Sequence, residues 1–212
     1  MKKIGIMGGT FNPIHIGHVE IAKAAYEQYQ LDEVWFMPNN IPAYKSNKGI
    51  VSGKDRYNMI NLAIREYKFF KVSDLELQRE GKTYSYETFT LLNDMYPDYH
   101  FYFLMGADSL FYFEQWVHPE IILEKTDILV ASRDNGGINK IKDKITDLQI
   151  KYKNAYINII RCNIINCSST TIREYLGLLN KDIIYNKPDI VSYIDKYLDH
   201  SVKQYIIDNN LY

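Results

Sequence analysis

Two short runs near the middle of the chain, Phe101-Tyr102-Phe103-Leu104-Met105 and Ile128-Leu129-Val130-Ala131, are apolar on both faces. A strand with one wet face alternates in polarity. A strand without alternation needs cover on both sides, which crossover helices on a parallel sheet provide. The rest of the chain repeats the theme. Ile4-Gly5-Ile6-Met7, Val34-Trp35-Phe36-Met37 (stopped by Pro38), Phe69-Phe70-Lys71-Val72 and Tyr156-Ile157-Asn158-Ile159-Ile160 read as further strands. Helical spacing lies between them: Val19, Ala22, Tyr26 and Tyr29; Met59, Leu62 and Ala63; Tyr84 to Tyr96, ended by Pro97; and Ile138, Ile141, Ile145, Leu148 and Tyr152. Beyond Ser168 the pattern is helical, with Pro188 suited to a first turn ahead of Val191, Ile194 and Leu198. Alternating strands and helices predict an α/β fold with a largely parallel sheet flanked by helices and a small C-terminal helical region.

Composition narrows the function classes. Lys+Arg number 25 against Asp+Glu 26 in 212 residues, so the net charge of −1 gives no electrostatic case for nucleic-acid or membrane-surface partners. No stretch approaches the roughly 20 apolar residues of a membrane span, and glycines break the apolar N-terminal stretch. Cys162 and Cys167 are too few for a disulfide framework and lack zinc-site spacing, so they read as free thiols in a reducing, cytoplasmic setting. Nothing in the sequence fixes an oligomeric state, and a homo-oligomer is left open.

Ligands of parallel sheets bind outside the carboxyl ends of the strands, which directs attention to the loops after Met7, Pro38, Met105 and Ile160. The first reads Gly8-Gly9-Thr10-Phe11-Asn12-Pro13-Ile14-His15-Ile16-Gly17-His18. Gly8 and Gly9 allow a tight turn and a close ligand, Gly17 is expected to keep the helix start open, and two histidines three apart share one face. A helix start also offers unpaired N–H groups and a positive dipole end, a site for phosphate. A second segment, Ser168-Ser169-Thr170-Thr171-Ile172-Arg173, puts hydroxyls where a loop enters a helix and a planar guanidinium one turn on. Alone it reads as an N-cap with a surface arginine.

Gly8-Gly9-Thr10-Phe11-Asn12-Pro13 with His15-Ile16-Gly17-His18, together with Cys167-Ser168-Ser169-Thr170-Thr171-Ile172-Arg173, resembles the signature of the His-x-Gly-His nucleotidyltransferase superfamily. Within it the chain most resembles the bacterial nicotinate-nucleotide adenylyltransferase family, over nearly its whole length. The resemblance implies a Rossmann-like sheet in a single nucleotidyltransferase domain over residues 1–212, with a core to about residue 165 and a helical part from about 166. It implies transfer of AMP from ATP to nicotinate mononucleotide, giving deamido-NAD and pyrophosphate.

By the same resemblance Gly8, Gly9, Thr10 and Phe11 form the nucleotide loop, and His18 stabilises the α-phosphoryl charge with help from His15 and Lys45. Ser168, Ser169, Thr170 and Arg173 hold the outer phosphates, and Gly106 and Asp108 lie on the ribose side. Ser85, Trp116 and Val117 make the nicotinate pocket, and Arg133 helps hold the mononucleotide. Without it Trp116 reads as core, Asp108 as a helix cap and Lys45 as a solvated charge. Ala43, Tyr44 and Cys167 depart from the family pattern. A phosphate monoester is already ionised, so an in-line displacement needs alignment and charge dispersal rather than a protein nucleophile. Mg²⁺ is expected to arrive with ATP, since the chain has no dedicated carboxylate cluster. The rivals are a phosphopantetheine adenylyltransferase-like enzyme and a non-catalytic nucleotide sensor.

Overall fold

The computed structural model describes residues 1–42, 49–132, 137–163, 165–179 and 188–212. Its first half runs β1 (Lys2–Gly9), α1 (Ile16–Tyr29), β2 (Glu33–Pro38), β3 (Ile41–Pro42), α2 (Gly53–Ile64), β4 (Phe70–Val72), β5 (Lys82–Thr83) and α3 (Ser85–Met95). The second half runs β6 (Tyr99–Gly106), α4 (Ala107–Phe111), a 3₁₀ turn at Phe113–Gln115, α5 (Pro119–Lys125), β7 (Asp127–Ala131), α6 (Ile138–Lys151), β8 (Ile157–Ile160), α7 (Ser169–Leu179), α8 (Pro188–Tyr197) and α9 (His200–Asp208). Among the described residues no helix is long and apolar enough to cross a membrane.

Six strands form one parallel sheet in the order β4-β2-β1-β6-β7-β8, and β3 pairs with β5 in a separate two-stranded ribbon. The two-faced apolar runs occupy β6 and β7, inside the sheet, as their composition requires. Side chains of successive residues in a strand point to opposite faces, and the core divides accordingly. Phe101, Phe103 and Met105 of β6, with Ile128 and Val130 of β7, join one cluster with Phe89 and Leu92 of α3 and Ile141, Ile145 and Leu148 of α6. Leu104, Leu129 and Ala131 join the other, with Ala22 and Ala25 of α1, Met59 and Ile60 of α2, and Ile172, Ile194 and Val202 of the C-terminal helices. The C-terminal helices therefore share the core that β1 and α1 build.

From β1 the chain winds outward through β2 to β4, then returns to place β6 on the other side of β1. The strand order reverses between β1 and β6, and a crevice opens at the carboxyl ends of the strands at such a point. The short pieces α4, the 3₁₀ turn and α5 had no clear signal in the sequence, being too brief to show a helical period.

The amino end of the sheet is fastened electrostatically. Glu33 Oε1 is 2.7 Å from both Lys2 Nζ and Lys71 Nζ, and Oε2 accepts from the Trp35 indole at 2.7 Å. Burial alone would raise the Glu33 carboxyl, but these three donors outweigh it and lower it from 4.5 to about 2. A depressed carboxyl stabilises the fold above its unfolded value and loses that contribution as pH falls toward the folded one. The melting temperature should therefore drop as pH falls from 4.5 toward about 2. Glu33→Gln should start lower and fall less steeply through that window in a melting series. Equal slopes for the two proteins would remove Glu33 from the acid response.

Candidate active site at the carboxyl ends of the strands

The crevice is a cavity of about 640 Å³. Gly8, Gly9, Thr10 and Phe11 line it from the loop after β1, and His15 and His18 from the start of α1. Ser168, Ser169, Thr170 and Arg173 line it from the start of α7, Gly106 from the end of β6, Asp108 from the start of α4, and Ser85, Trp116 and Val117 from the far wall. Lys45 and Arg133 lie outside the described residues. A second cavity of about 590 Å³, between α1 and the end of β8, is reached by none of the residues expected to act.

The first turn of α1 explains the histidine pair. His15 is extended (φ −145°, ψ 169°) and caps the helix, and its N–H donates to His18 Nδ1 at 3.2 Å. The His18 N–H in turn donates to the His15 carbonyl at 2.9 Å. The His18 side chain thus takes the part that Glu or Gln plays in a capping box, accepting from the N–H of the residue that begins the helix. A backbone donor on Nδ1 makes that nitrogen an acceptor, so the ring proton of neutral His18 sits on Nε2. The two rings lie 3.8 Å apart, and the Phe11 ring meets His18 edge-on at 5.1 Å.

The glycines act differently from the expectation. A Cβ on Gly17 would stand 3.0 Å from His15 Nδ1, so the space Gly17 leaves is filled by the protein's own His15 ring. A Cβ on Gly9 would stand 3.1 Å from the Phe11 ring, and one on Gly8 3.3 Å from the Phe103 ring. The left-handed turn belongs to Phe11 (φ 49°), a buried aromatic. A non-glycine residue there costs on the order of 1–3 kcal/mol, which burial of the ring can offset.

The segment at α7 is bound to the first loop. Arg173 Nη1 donates to the Asn12 carbonyl at 2.7 Å and Ser169 Oγ to the Pro13 carbonyl at 2.9 Å. Ser168 Oγ accepts from the Thr171 N–H at 3.1 Å and shares a hydrogen bond with Thr171 Oγ1, which makes Ser168 the cap of α7. The serine hydroxyls thus serve the protein, and the N–H groups of the first turn are the groups a helix start offers to an anion. Arg173 Nη2 also contacts Thr170 Oγ1 at 3.2 Å, which leaves further guanidinium donors beyond these two contacts.

On the far wall, Trp116 is half-buried, packs on Phe103 and Phe113, and lines the cavity. Asp108 sits one residue inside α4, whose cap is Gly106. Glu76 and Thr88 also line the cavity and were missed. Thr88 Oγ1 donates to Glu76 Oε1 at 2.6 Å, and burial pushes the Glu76 carboxyl up despite nearby Arg79. Glu76 lies in an irregular turn, where no periodicity marks it. Cys162 and Cys167 are free thiols. Among the described residues no group of His, Cys, Asp or Glu side chains is placed to hold a metal ion.

Gly17→Ala tests the histidine packing. Helix propensity favours alanine by about 1 kcal/mol, so any fall in melting temperature reports the clash. The His15 and His18 ring resonances should shift together. Unmoved resonances would show that the extra methyl fits and that Gly17 is not there for the ring.

A cytidylyltransferase-like family model matches residues 6–175. The chain is 45% identical over 198 residues to a Lachnoclostridium phytofermentans protein named probable nicotinate-nucleotide adenylyltransferase, covering 93% of this chain and 98% of that one. It is 37% identical over 212 residues to a Bacillus cytotoxicus protein of the same name, covering 100% and 99%. Among solved structures, Plasmodium falciparum nicotinic acid mononucleotide adenylyltransferase complexed with NaAD superposes with a TM-score of 0.77 over 100% of this chain and 97% of that chain. At 24% identity that likeness speaks for the fold. The chain belongs to the cytidylyltransferase-like family, alongside full-length relatives named nicotinate-nucleotide adenylyltransferase.

Proposed function

We propose that this chain transfers AMP from ATP to nicotinate mononucleotide, giving deamido-NAD and pyrophosphate in NAD biosynthesis. The observation that carries the reading is a convergence. Two phosphate-directed segments, 156 and 161 positions apart at their contacts, are hydrogen-bonded to each other across one cavity, in a chain whose full-length relatives bear that enzyme's name. Ser85, Trp116 and Val117 on the same cavity favour a pyridine acceptor over phosphopantetheine.

The residues then divide the work. The acceptor phosphate is its own nucleophile. The protein aligns it with the α-phosphorus and meets charge that develops on the α-phosphoryl oxygens and the departing pyrophosphate. His18 offers Nε2–H to the α-phosphoryl group, with His15 and Lys45 assisting. The N-terminal N–H groups of α7 and the remaining donors of Arg173 hold the outer phosphates. Gly8, Gly9, Thr10 and Phe11 shape the nucleotide loop, and Gly106 and Asp108 face the ribose. The amides of Ser85 and Val117 meet the nicotinate carboxylate, Trp116 stacks on the ring, and Arg133 helps hold the mononucleotide. The phosphate side is lined by donors rather than carboxylates, which suits a divalent ion carried by the nucleotide itself. Mg²⁺ bound through phosphate oxygens and water would neutralise phosphate charge. The free thiols Cys162 and Cys167 fit a cytoplasmic setting.

The direct test is pyrophosphate release from ATP with nicotinate mononucleotide, nicotinamide mononucleotide and phosphopantetheine in parallel. Nicotinate mononucleotide should be preferred over its amide by about ten- to a hundredfold in kcat/KM. A carboxylate accepts from both amides, whereas a carboxamide turns its NH₂ toward one donor, and an unpaired buried polar group costs roughly 1–3 kcal/mol. Equal constants would defeat the pocket assignment, and release only with phosphopantetheine would defeat the function. His18→Ala should cut kcat by roughly 10²–10³ with little change in melting, the usual effect of losing one preorganised donor. Activity within a few-fold of the unaltered enzyme would take His18 out of the mechanism.

A further inference from the structure

Arg56 stands on α2 in register with the helix's buried residues Met59, Ile60 and Ile64, and it is only 2% exposed. A buried cation is costly unless its donors are matched. Among the described residues Arg56 forms no ion pair. Its guanidinium instead donates to three backbone carbonyls: Nε to Val51 at 3.2 Å, Nη1 to Thr10 at 2.9 Å and Nη2 to Asn40 at 3.4 Å. Thr10 belongs to the nucleotide loop after β1. Asn40 belongs to the loop after β2, which leads to Lys45 of the acceptor site. One planar fork therefore grips both loops.

The connection runs further. Asn40 Nδ2 donates to the Arg79 carbonyl at 2.7 Å, and Arg79 Nη1 donates to Thr88 Oγ1 at 3.2 Å. Thr88 lines the cavity beside Ser85. Hydrogen bonds thus lead from Thr10 through Arg56, Asn40 and Arg79 to the wall assigned to the pyridine ring. Asn39 adds a direct tie between the loops, its N–H donating to the Gly9 carbonyl at 3.0 Å.

We propose that Arg56 is a positioning residue that joins the nucleotide loop to the acceptor loop, so that each substrate binds more tightly when the other is present. This rests on the ATP and nicotinate mononucleotide reading above. A ligand that fixes one loop restricts the other through the shared fork, and the second ligand then orders less of the protein. The effect is reciprocal in binding. Lysine at this position would keep the charge but could not span three carbonyls held apart by three segments.

The test is calorimetric binding of α,β-methylene ATP with and without saturating nicotinate mononucleotide, on the unaltered chain, Arg56→Lys and Asn40→Ala. The unaltered chain should show at least about fivefold tighter binding of the analogue when the acceptor is present. Both variants should reduce that factor to about twofold or less. A purely structural arginine would lower the melting temperature and leave the factor alone. If Arg56→Lys does not fold, Asn40→Ala decides, because it keeps the backbone carbonyl that Arg56 grips and cuts the next link. An undiminished factor in Asn40→Ala, or no coupling in an unaltered chain that turns over, overturns the proposal. No binding of nicotinate mononucleotide by the unaltered chain overturns both this proposal and the function on which it rests, whereas turnover without coupling sinks this proposal alone.

Discussion

Asn12 is 5% exposed, and every polar atom of its side chain is committed to another segment. Its Nδ2 donates to the Gly49 carbonyl at 2.9 Å, while Oδ1 accepts from the Val51 N–H at 3.2 Å and the Tyr212 hydroxyl at 2.6 Å. Its carbonyl accepts from Arg173 Nη1 at 2.7 Å. The loop after β1, the segment before α2, the start of α7 and the end of the chain are thereby held at one residue. Burial pushes the Tyr212 phenol well above its ordinary value, although Arg173 and Arg56 nearby pull the other way. Tyr212 therefore stays a neutral donor at any physiological pH. A buried amide left without partners costs roughly 1–3 kcal/mol, which these bonds avoid. They hold the loop after β1 in place on the segment before α2, the start of α7 and Tyr212.

That loop leads into α1 and is hydrogen-bonded to the start of α7. α1 and α7 both begin at the cavity, and each is capped from within: His15 and His18 serve α1, and Ser168 serves α7. Capping fixes the tautomer of His18 before any ligand arrives. With Nδ1 accepting from the His15 N–H, the neutral ring carries its proton on Nε2. Stabilisation by fixed dipoles and donors costs no reorganisation during reaction, which is how such a site can lower a barrier without a protein nucleophile.

The two ends of the sheet are built to different ends. At the amino end Glu33 joins Lys2 and Lys71, and His100 pairs with Asp127 at 2.7 Å, contacts that fasten strands β1, β2, β4, β6 and β7. At the carboxyl end the loops line a cavity. Helices starting there bring N–H groups, and the strand reversal between β1 and β6 leaves room for a ligand.

Much of this could be read from the residues alone. Strands apolar on both faces and helices with one apolar stripe must be buried in one kind of arrangement, so the parallel sheet followed from local pattern. The histidine pair and the Ser168–Arg173 segment were visible because their spacing is local too. Arg56 did not stand out among Met59, Leu62 and Ala63; the fold puts it on the buried face and shows which carbonyls receive its donors. The β3–β5 ribbon, with two residues in each strand, is too short for any period to register. Gly17 looked like room for a ligand until the His15 ring was found beside it, and Phe11 gave no sign that it would take the left-handed turn. Sequence pattern decides which face of an element is buried. The distances between loops after different strands are set by how the crossover helices pack, and only the tertiary structure determines that.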